Sequence, residues 1–327
     1  MDKTVWINLK DPSAAELATA LPMDLHEIAN EALRRPEVYA EEVFPNLEEH
    51  ENSSSDQYLF GEFAFPVSNP STDDIGTIGI RVVVNFDRVV TVIRTPAHLP
   101  EGVVMPVLDD LNAQIVSEEF DSGRCVCLFL KRIADETHQL MGDARARAAV
   151  IEEALNHDEA PPPDCRKQLA LLRNHFLQLK TLIQPTLSVI EAIINDDLDL
   201  REDATDTDDE RELFPRDTEI RLISVRNSFR HALQHSEYWL GNLVSLQDSL
   251  SDYLSREQTT AGNRLTALAS IMLLPTFLVG LYGMNIESSY FPEFRWLNGY
   301  LFSWCVIGLI TAIQVFWFRK KGWLFRK

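Results

Sequence analysis

Gly283, Met284 and Asn285 lie where an uncharged apolar run gives way to a short polar stretch, in "GLYGMNIESSYFPEF", residues 280–294. An asparagine side chain offers a neutral amide oxygen. Repeated around a symmetry axis at a pore mouth, such oxygens accept hydrogen bonds from a cation's water shell and select for its size and charge. Magnesium suits that chemistry, because it gives up its water reluctantly. A glycine ahead of the asparagine lets the backbone approach closely and leave a helix. Upstream, Gly262, Ala269, Leu273, Thr276, Gly280 and Gly283 recur at near-helical spacing. Small residues in membrane helices serve helix–helix contacts. The same face can line a narrow pore, with Leu273 as an apolar constriction and Thr276 offering oxygen. The residues alone leave both roles open.

Other groups capable of chemistry are sparse. His231 and His235 stand at i, i+4 in "RHALQHSEYW" with Glu237 nearby, a spacing that can place two imidazoles on one metal, but no third ligand at helical spacing is evident. The segment "NDDLDLREDATDTDDERELF" (195–214) carries ten carboxylates and two arginines. It reads either as a solvated helix end and linker, or as an acidic fringe over 195–212 whose mutual repulsion a divalent ion relieves. Cys125 and Cys127 fall in "RCVCLFL", a buried pattern, and four cysteines without a CxxC make core thiols rather than a metal pair or disulfide framework. No Ser/His/Asp arrangement, phosphate-cradling glycine loop or HExxH is present, so the sequence gives an enzyme no support.

The elements that must position these residues are clear at the C-terminal end. "LTALASIMLLPTFLVGLYG" (265–283) and "WLNGYLFSWCVIGLITAIQVFWF" (296–318) contain no charged residue. A membrane span needs about 20 apolar residues, and both runs meet that, with aromatic residues near their ends. Arg256 and Arg264 precede the first; Arg319, Lys320, Lys321, Arg326 and Lys327 follow the second; the loop holds Arg295 against Glu287 and Glu293. The positive-inside rule then sets both termini in the cytoplasm. The expected division is a cytosolic part over 1–263, a first span over 264–284, an extracytoplasmic loop over 285–295, a second span over 296–318 and a basic tail over 319–327. "MDKTVWINLKDPS" has no apolar signal core. Fifty acidic against 30 basic residues, net −20, exclude a nucleic-acid footprint and fit small cations as partners.

Within 1–263, "TVWINL" reads as a strand, "DPSAAELATAL" as a capped helix and "MDLHEIANEALRR" as a second helix. "QYLFGEFAFPV", "TIGIRVVVNF" and "RVVTVIRT" are strands, giving an α/β unit that ends near residue 97. Helical patterns follow at 103–120, 124–157 and 164–196, the last two parted by "HDEAPPPDC". From Arg216 to Gly283 only Pro275 breaks the helical pattern, so one helix on the order of 100 Å is expected. Positions 222, 225, 229, 232, 236, 239, 243, 246, 250 and 253 form a heptad seam, apolar at all but Ser236. It serves either a stalk that bundles with copies of itself or one that packs on its own domain.

"YGMN" (282–285), at the end of the first of two C-terminal spans, resembles the signature of the CorA family of divalent-cation transporters. "FPEFRW" with the following Gly299-Tyr300 is similar to that family's loop, "FRKKGWLF" to its basic Trp-Leu tail, "LPTFLVGLYGMN" to its first span and "VWINLKDPS" to its opening strand and helix. The resemblance implies a homopentameric funnel of α/β cytosolic domains, long stalk helices and two C-terminal transmembrane helices in a bacterial-type inner membrane, embedded in lipid. It implies a selectivity ring of Gly283, Met284 and Asn285, with Asn285 touching the ion through its water. Leu273, Thr276 and Gly280 line the pore, Tyr282, Glu287 and Glu293 belong to the mouth and loop, and intracellular Mg²⁺ is both substrate and regulator. The loop from Asn285 to Pro292 is longer than the family pattern, Pro275 adjoins Thr276 directly, and the acidic loop is reduced to Glu287 and Glu293. Met284 and Pro292-Glu293 favour the magnesium-type branch, with Co²⁺ or Ni²⁺ as further ions. A Zn²⁺ transporter of the ZntB branch is the alternative, and a non-conducting membrane-anchored scaffold is a third.

Overall fold

The computed structural model describes residues 5–21, 25–34, 45–51, 57–69, 74–94, 121–157, 160–202, 211–283 and 298–324. The helix expected at 103–120 lies outside them. The chain divides into two compact units, Met1–Gln247 and Asp248–Lys327.

The first unit is built on a five-stranded sheet of order β1-β5-β4-β3-β2. Strands β2 (Asn46–Glu51), β3 (Gln57–Asn69), β4 (Asp74–Val84) and β5 (Arg88–Ile93) form an antiparallel meander, and β1 (Val5–Lys10) joins β5 in parallel. The β4–β5 turn is held by Asn85, whose Oδ1 accepts from the backbone N–H groups of Asp87 and Arg88. Helices α1 (Ala14–Ala20) and α2 (Glu27–Arg34) bury Leu17, Ala29 and Leu33 against Tyr58, Phe60, Val83, Val90 and Val92. Strand β2 is absent from the sequence reading. "NLEEHE" has little strand propensity, and it is an edge strand with Leu47 as its one fully buried apolar residue.

Helix α1 starts with a capping box. The Ser13 Oγ accepts from the Glu16 N–H at 3.3 Å, and the Glu16 carboxylate accepts from the Ser13 N–H at 2.7 Å. These bonds to Ser13 hold the Glu16 carboxyl below its usual range. Ser13→Ala is expected to cost about 1 kcal/mol, read from the denaturant midpoint of the full chain. The box contribution is present above the ordinary carboxylate range and is lost as pH falls through Glu16's lowered titration.

Three long helices complete the unit. They are α3 (Ser122–Asn156), α4 (Cys165–Ile194) and the first part of α5 (Arg216–Tyr282). Phe129 of α3 meets Phe63 of β3 edge-on, with ring centroids 5.5 Å apart. Cys125, Cys127 and Cys165 are buried, as expected of core thiols, and burial together with Asp121 pushes the Cys125 thiol up to about 12.

The heptad seam of α5 is buried within this unit. Leu222, Val225, Phe229, Ala232, Ser236, Trp239, Leu243 and Leu246 are all buried. Trp239 stacks on Phe176 of α4 at 6.2 Å, and the Ser236 hydroxyl donates to Met141 Sδ of α3. Lys180–Glu237 and Arg230–Glu191 bind the rim. So over these positions the stalk packs on its own domain, the second of the two roles left open by the sequence.

The acidic segment is more ordered than a linker at both of its ends. Strands β6 (Arg201–Glu202) and β7 (Arg211–Glu212) pair as a short ribbon that sets each arginine opposite a glutamate. Buried Leu200, Leu213 and Phe214 anchor it. The Phe214 N–H donates to Asp199 Oδ1 at 3.0 Å. Residues 203–210 lie outside the described set.

Candidate functional site

The second unit contains the C-terminal part of α5 and the helix α6 (Gly299–Lys320). Both helices are long and apolar enough to cross a membrane. Their apolar side chains are largely uncovered: Met272, Leu273, Phe277, Leu301 and Phe316 are each more than 60% exposed. Water is a poor solvent for such a surface, whereas lipid or further helices suit it. One face of α5 is covered. Ala267 is buried, and the carbonyl of Ser270 accepts from Gln314 Nε2 of α6 at 3.4 Å. Gly262, Ala269, Leu273, Thr276, Gly280 and Gly283 are all exposed, so α6 leaves every one of them uncovered.

Pro275 lacks an N–H, which frees the carbonyl of Ile271 from its usual helical partner. One residue on, the Thr276 hydroxyl donates to the Met272 carbonyl at 2.7 Å. Its proton is thereby spent on its own helix, and its oxygen keeps lone pairs for an outside donor. A Cβ added at Gly280 would meet nothing within 4 Å among the described residues, so none of them requires the glycine.

Tyr282 is the last residue of α5, and the Gly283 N–H still donates to the Val279 carbonyl at 2.9 Å. Among the described residues the only glycine at positive φ is Gly322. The helix thus ends just before Gly283, which is not at positive φ, so its N–H closes the last turn without a left-handed cap. A Cβ there would come within 3.2 Å of the Val279 carbonyl. Met284, Asn285, Glu287 and Glu293 lie outside the described residues.

The basic tail is closely organised at the end of α6. Gly322, at φ 75°, takes the left-handed cap. The Trp323 N–H reaches back to the Phe318 carbonyl, and the Gly322 N–H to that of Arg319, which is the Schellman pattern. The turn stacks Trp323 on Phe318 and sets the Lys321 ammonium 4.1 Å from the Trp317 ring centroid.

In the first unit, His231 and His235 stack with ring centroids 5.0 Å apart, and His138 of α3 lines the same cleft. Burial, and then the charge of His231, lower the His138 pKa; Asp135 pulls it back up, and His235 adds a smaller lowering. Sequence spacing missed His138 because it sits on a different helix. Among the described residues, no three His, Cys, Asp or Glu side chains are gathered so as to hold a metal ion.

The profile of the family described as CorA-like Mg²⁺ transporter protein matches residues 1–320. The chain is 29% identical over 182 residues to the cobalt/magnesium transport protein CorA of Thermotoga maritima, covering 54% of this chain and 45% of the relative. It is 31% identical over 108 residues to the magnesium transport protein CorA of Helicobacter pylori strain 26695, a third of each chain. It is 23% identical over 205 residues to the zinc transport protein ZntB of Pectobacterium carotovorum, covering 62% of this chain and 57% of the relative. These alignments thus span between a third and three fifths of the relatives' lengths. Among solved structures, the complete CorA magnesium transporter of Methanocaldococcus jannaschii superposes with a TM-score of 0.72 at 15% identity, covering 98% of this chain and 92% of that one. The full-length CmaX protein gives 0.70 at 17% identity, covering 98% and 89%. The α/β N-terminal unit, the long helix and the two C-terminal apolar helices are thus a shared architecture, and with the profile match over 1–320 this chain belongs to the CorA-like Mg²⁺ transporter family.

Proposed function

We infer that this protein carries divalent metal cations across a membrane, with Mg²⁺ as the principal ion and Co²⁺ or Ni²⁺ as further substrates. The observation that carries the inference is the uncovered face of α5, with Leu273, Thr276 and Gly280 leading to Gly283-Met284-Asn285. Two spans cannot enclose a path, so several copies must supply its wall; the family architecture supports a homopentamer with α5 innermost and α6 toward lipid. No carboxylate lies in either span. The ion therefore keeps its water, held by neutral oxygens, with Asn285 at the outer ring and the Thr276 oxygen below it. Leu273 narrows the path with an apolar collar. Passage is down the electrochemical gradient, with both termini on the cytoplasmic side of an inner membrane and the Glu287 and Glu293 loop outside. Cytosolic Mg²⁺ also closes the funnel when bound between cytosolic units.

The likeness to zinc transport protein ZntB favours a second reading, Zn²⁺ transport on the same fold. Proteoliposome uptake of Mg²⁺, Zn²⁺ and Co²⁺ at equal driving force separates the two. Mg²⁺ entry ahead of Zn²⁺ is expected. Zn²⁺ entry without Mg²⁺ would overturn the magnesium assignment, and entry of no divalent ion would leave a membrane scaffold.

A further inference from the structure

Between the first turns of α3 and of α5 lies a pocket of about 240 Å³. Arg124 and Lys131 stand two turns apart on its α3 wall. Arg221, Ser224 and Ser228 form the opposite wall on one face of α5. Cys127, Ala134 and Val225, all buried, make its floor. A chain of net charge −20 has a negative background, yet among the described residues this concavity is lined by three cations and one carboxylate, Asp135.

The Cys127 thiol on the floor feels the same three cations. Burial pushes its pKa up, and Arg221, Lys131 and Arg124 each pull it back, while Asp121 adds to the rise. For Arg221 the counter-charge is weakly engaged. Asp217 lies 3.3 Å from Arg221 Nε, but the two side chains are 72% and 51% exposed, and an exposed pair of this kind contributes little. Asp135 also acts on His138, farther along α3.

Two guanidinium groups, an ammonium and two hydroxyls facing one another match the oxygens of phosphoryl groups, because Arg presents a planar fork of donors and Lys a compact charge. The volume is below the about 300–1,000 Å³ of sites for drug-sized ligands, so the pocket suits a compact anionic head rather than a whole cofactor. We propose that this pocket binds a polyphosphate anion, held by Arg124, Lys131 and Arg221 with Ser224 and Ser228 as hydroxyl donors. The site lies in the first unit and does not depend on which ion the protein carries.

The full chain in detergent micelles, in magnesium-free buffer, tests it by titration calorimetry with inorganic pyrophosphate and with adenosine triphosphate, against sodium chloride at matched ionic strength. Saturable binding of pyrophosphate is expected, and Lys131→Gln and Arg221→Gln should each weaken it about tenfold, the loss of one charge-assisted hydrogen bond. Arg147→Gln, a cation farther along α3 and outside the pocket, should leave it unchanged. Equal affinity for the two ligands marks a site for the phosphoryl groups alone; tighter binding of the nucleotide adds a contact to its nucleoside. Absence of saturable binding by either ligand, or equal weakening by Arg147→Gln, would overturn the proposal.

Discussion

Gly123→Ala is expected to destabilise the N-terminal unit by about 3 kcal/mol or more. Gly123 is the second residue of α3, and a Cβ placed there would lie 2.1 Å from the Leu213 carbonyl oxygen. That obstacle is backbone, so no rotamer change relieves it. Leu213 itself is pinned: its N–H donates to the Leu200 carbonyl at 3.0 Å, and its neighbour Phe214 is 1% exposed. Relief requires moving either the start of α3 or the β6–β7 ribbon that frames the acidic segment. Gly142, on the same helix, has nothing within 4 Å of an added Cβ. There alanine should stabilise by about 0.5–1 kcal/mol through helix propensity alone. Thermal unfolding of the two variants in detergent micelles gives shifts of opposite sign if the close approach is real. Matching shifts would show that the ribbon does not press on α3.

Asn285→Ala is expected to reduce selective Mg²⁺ uptake about tenfold or more while leaving the protein folded and oligomeric. The proposed ring holds the ion by its water, and hydrogen bonds of this neutral kind contribute about 0.5–1.5 kcal/mol each. Every copy loses its amide at once, so the effect concentrates at one constriction. The measurement is proteoliposome uptake across several divalent ions, with size-exclusion chromatography to verify assembly. Unchanged rates with an unchanged ion ranking would remove Asn285 from the path.

Much of this arrangement is legible in the sequence because strong, local signals carry it. Runs such as "IGIRVVV" become β4, and the uncharged segments become the C-terminal part of α5 and α6. What was not legible depends on partners. β2 is a strand only because β3 pairs with it. The seam from Leu222 to Leu246 specifies an apolar stripe, but its spacing does not state whose surface fills it; Phe176 and Met141 do. The acidic segment shows its charge readily, while the ribbon at its ends rests on Leu200, Leu213 and Phe214, three residues among many charged ones. His138 joins His231 and His235 only through the packing of α3 on α5.

The strand order has a consequence for how the N-terminal unit comes into being. Strands β2 to β5 pair with sequence neighbours, so each closes a short loop and forms cheaply. β1 is made first but finds its partner only when β5 exists, with Val5 beside Arg88 and Lys10 beside Ile93. Closing that larger loop is slower, and during synthesis β1 must wait unpaired until the meander has left the ribosome. The capped turn into α1 and the Asp11 N–H bond to the Ile93 carbonyl then act as a late latch. Strand β1 is then the last of the five to pair.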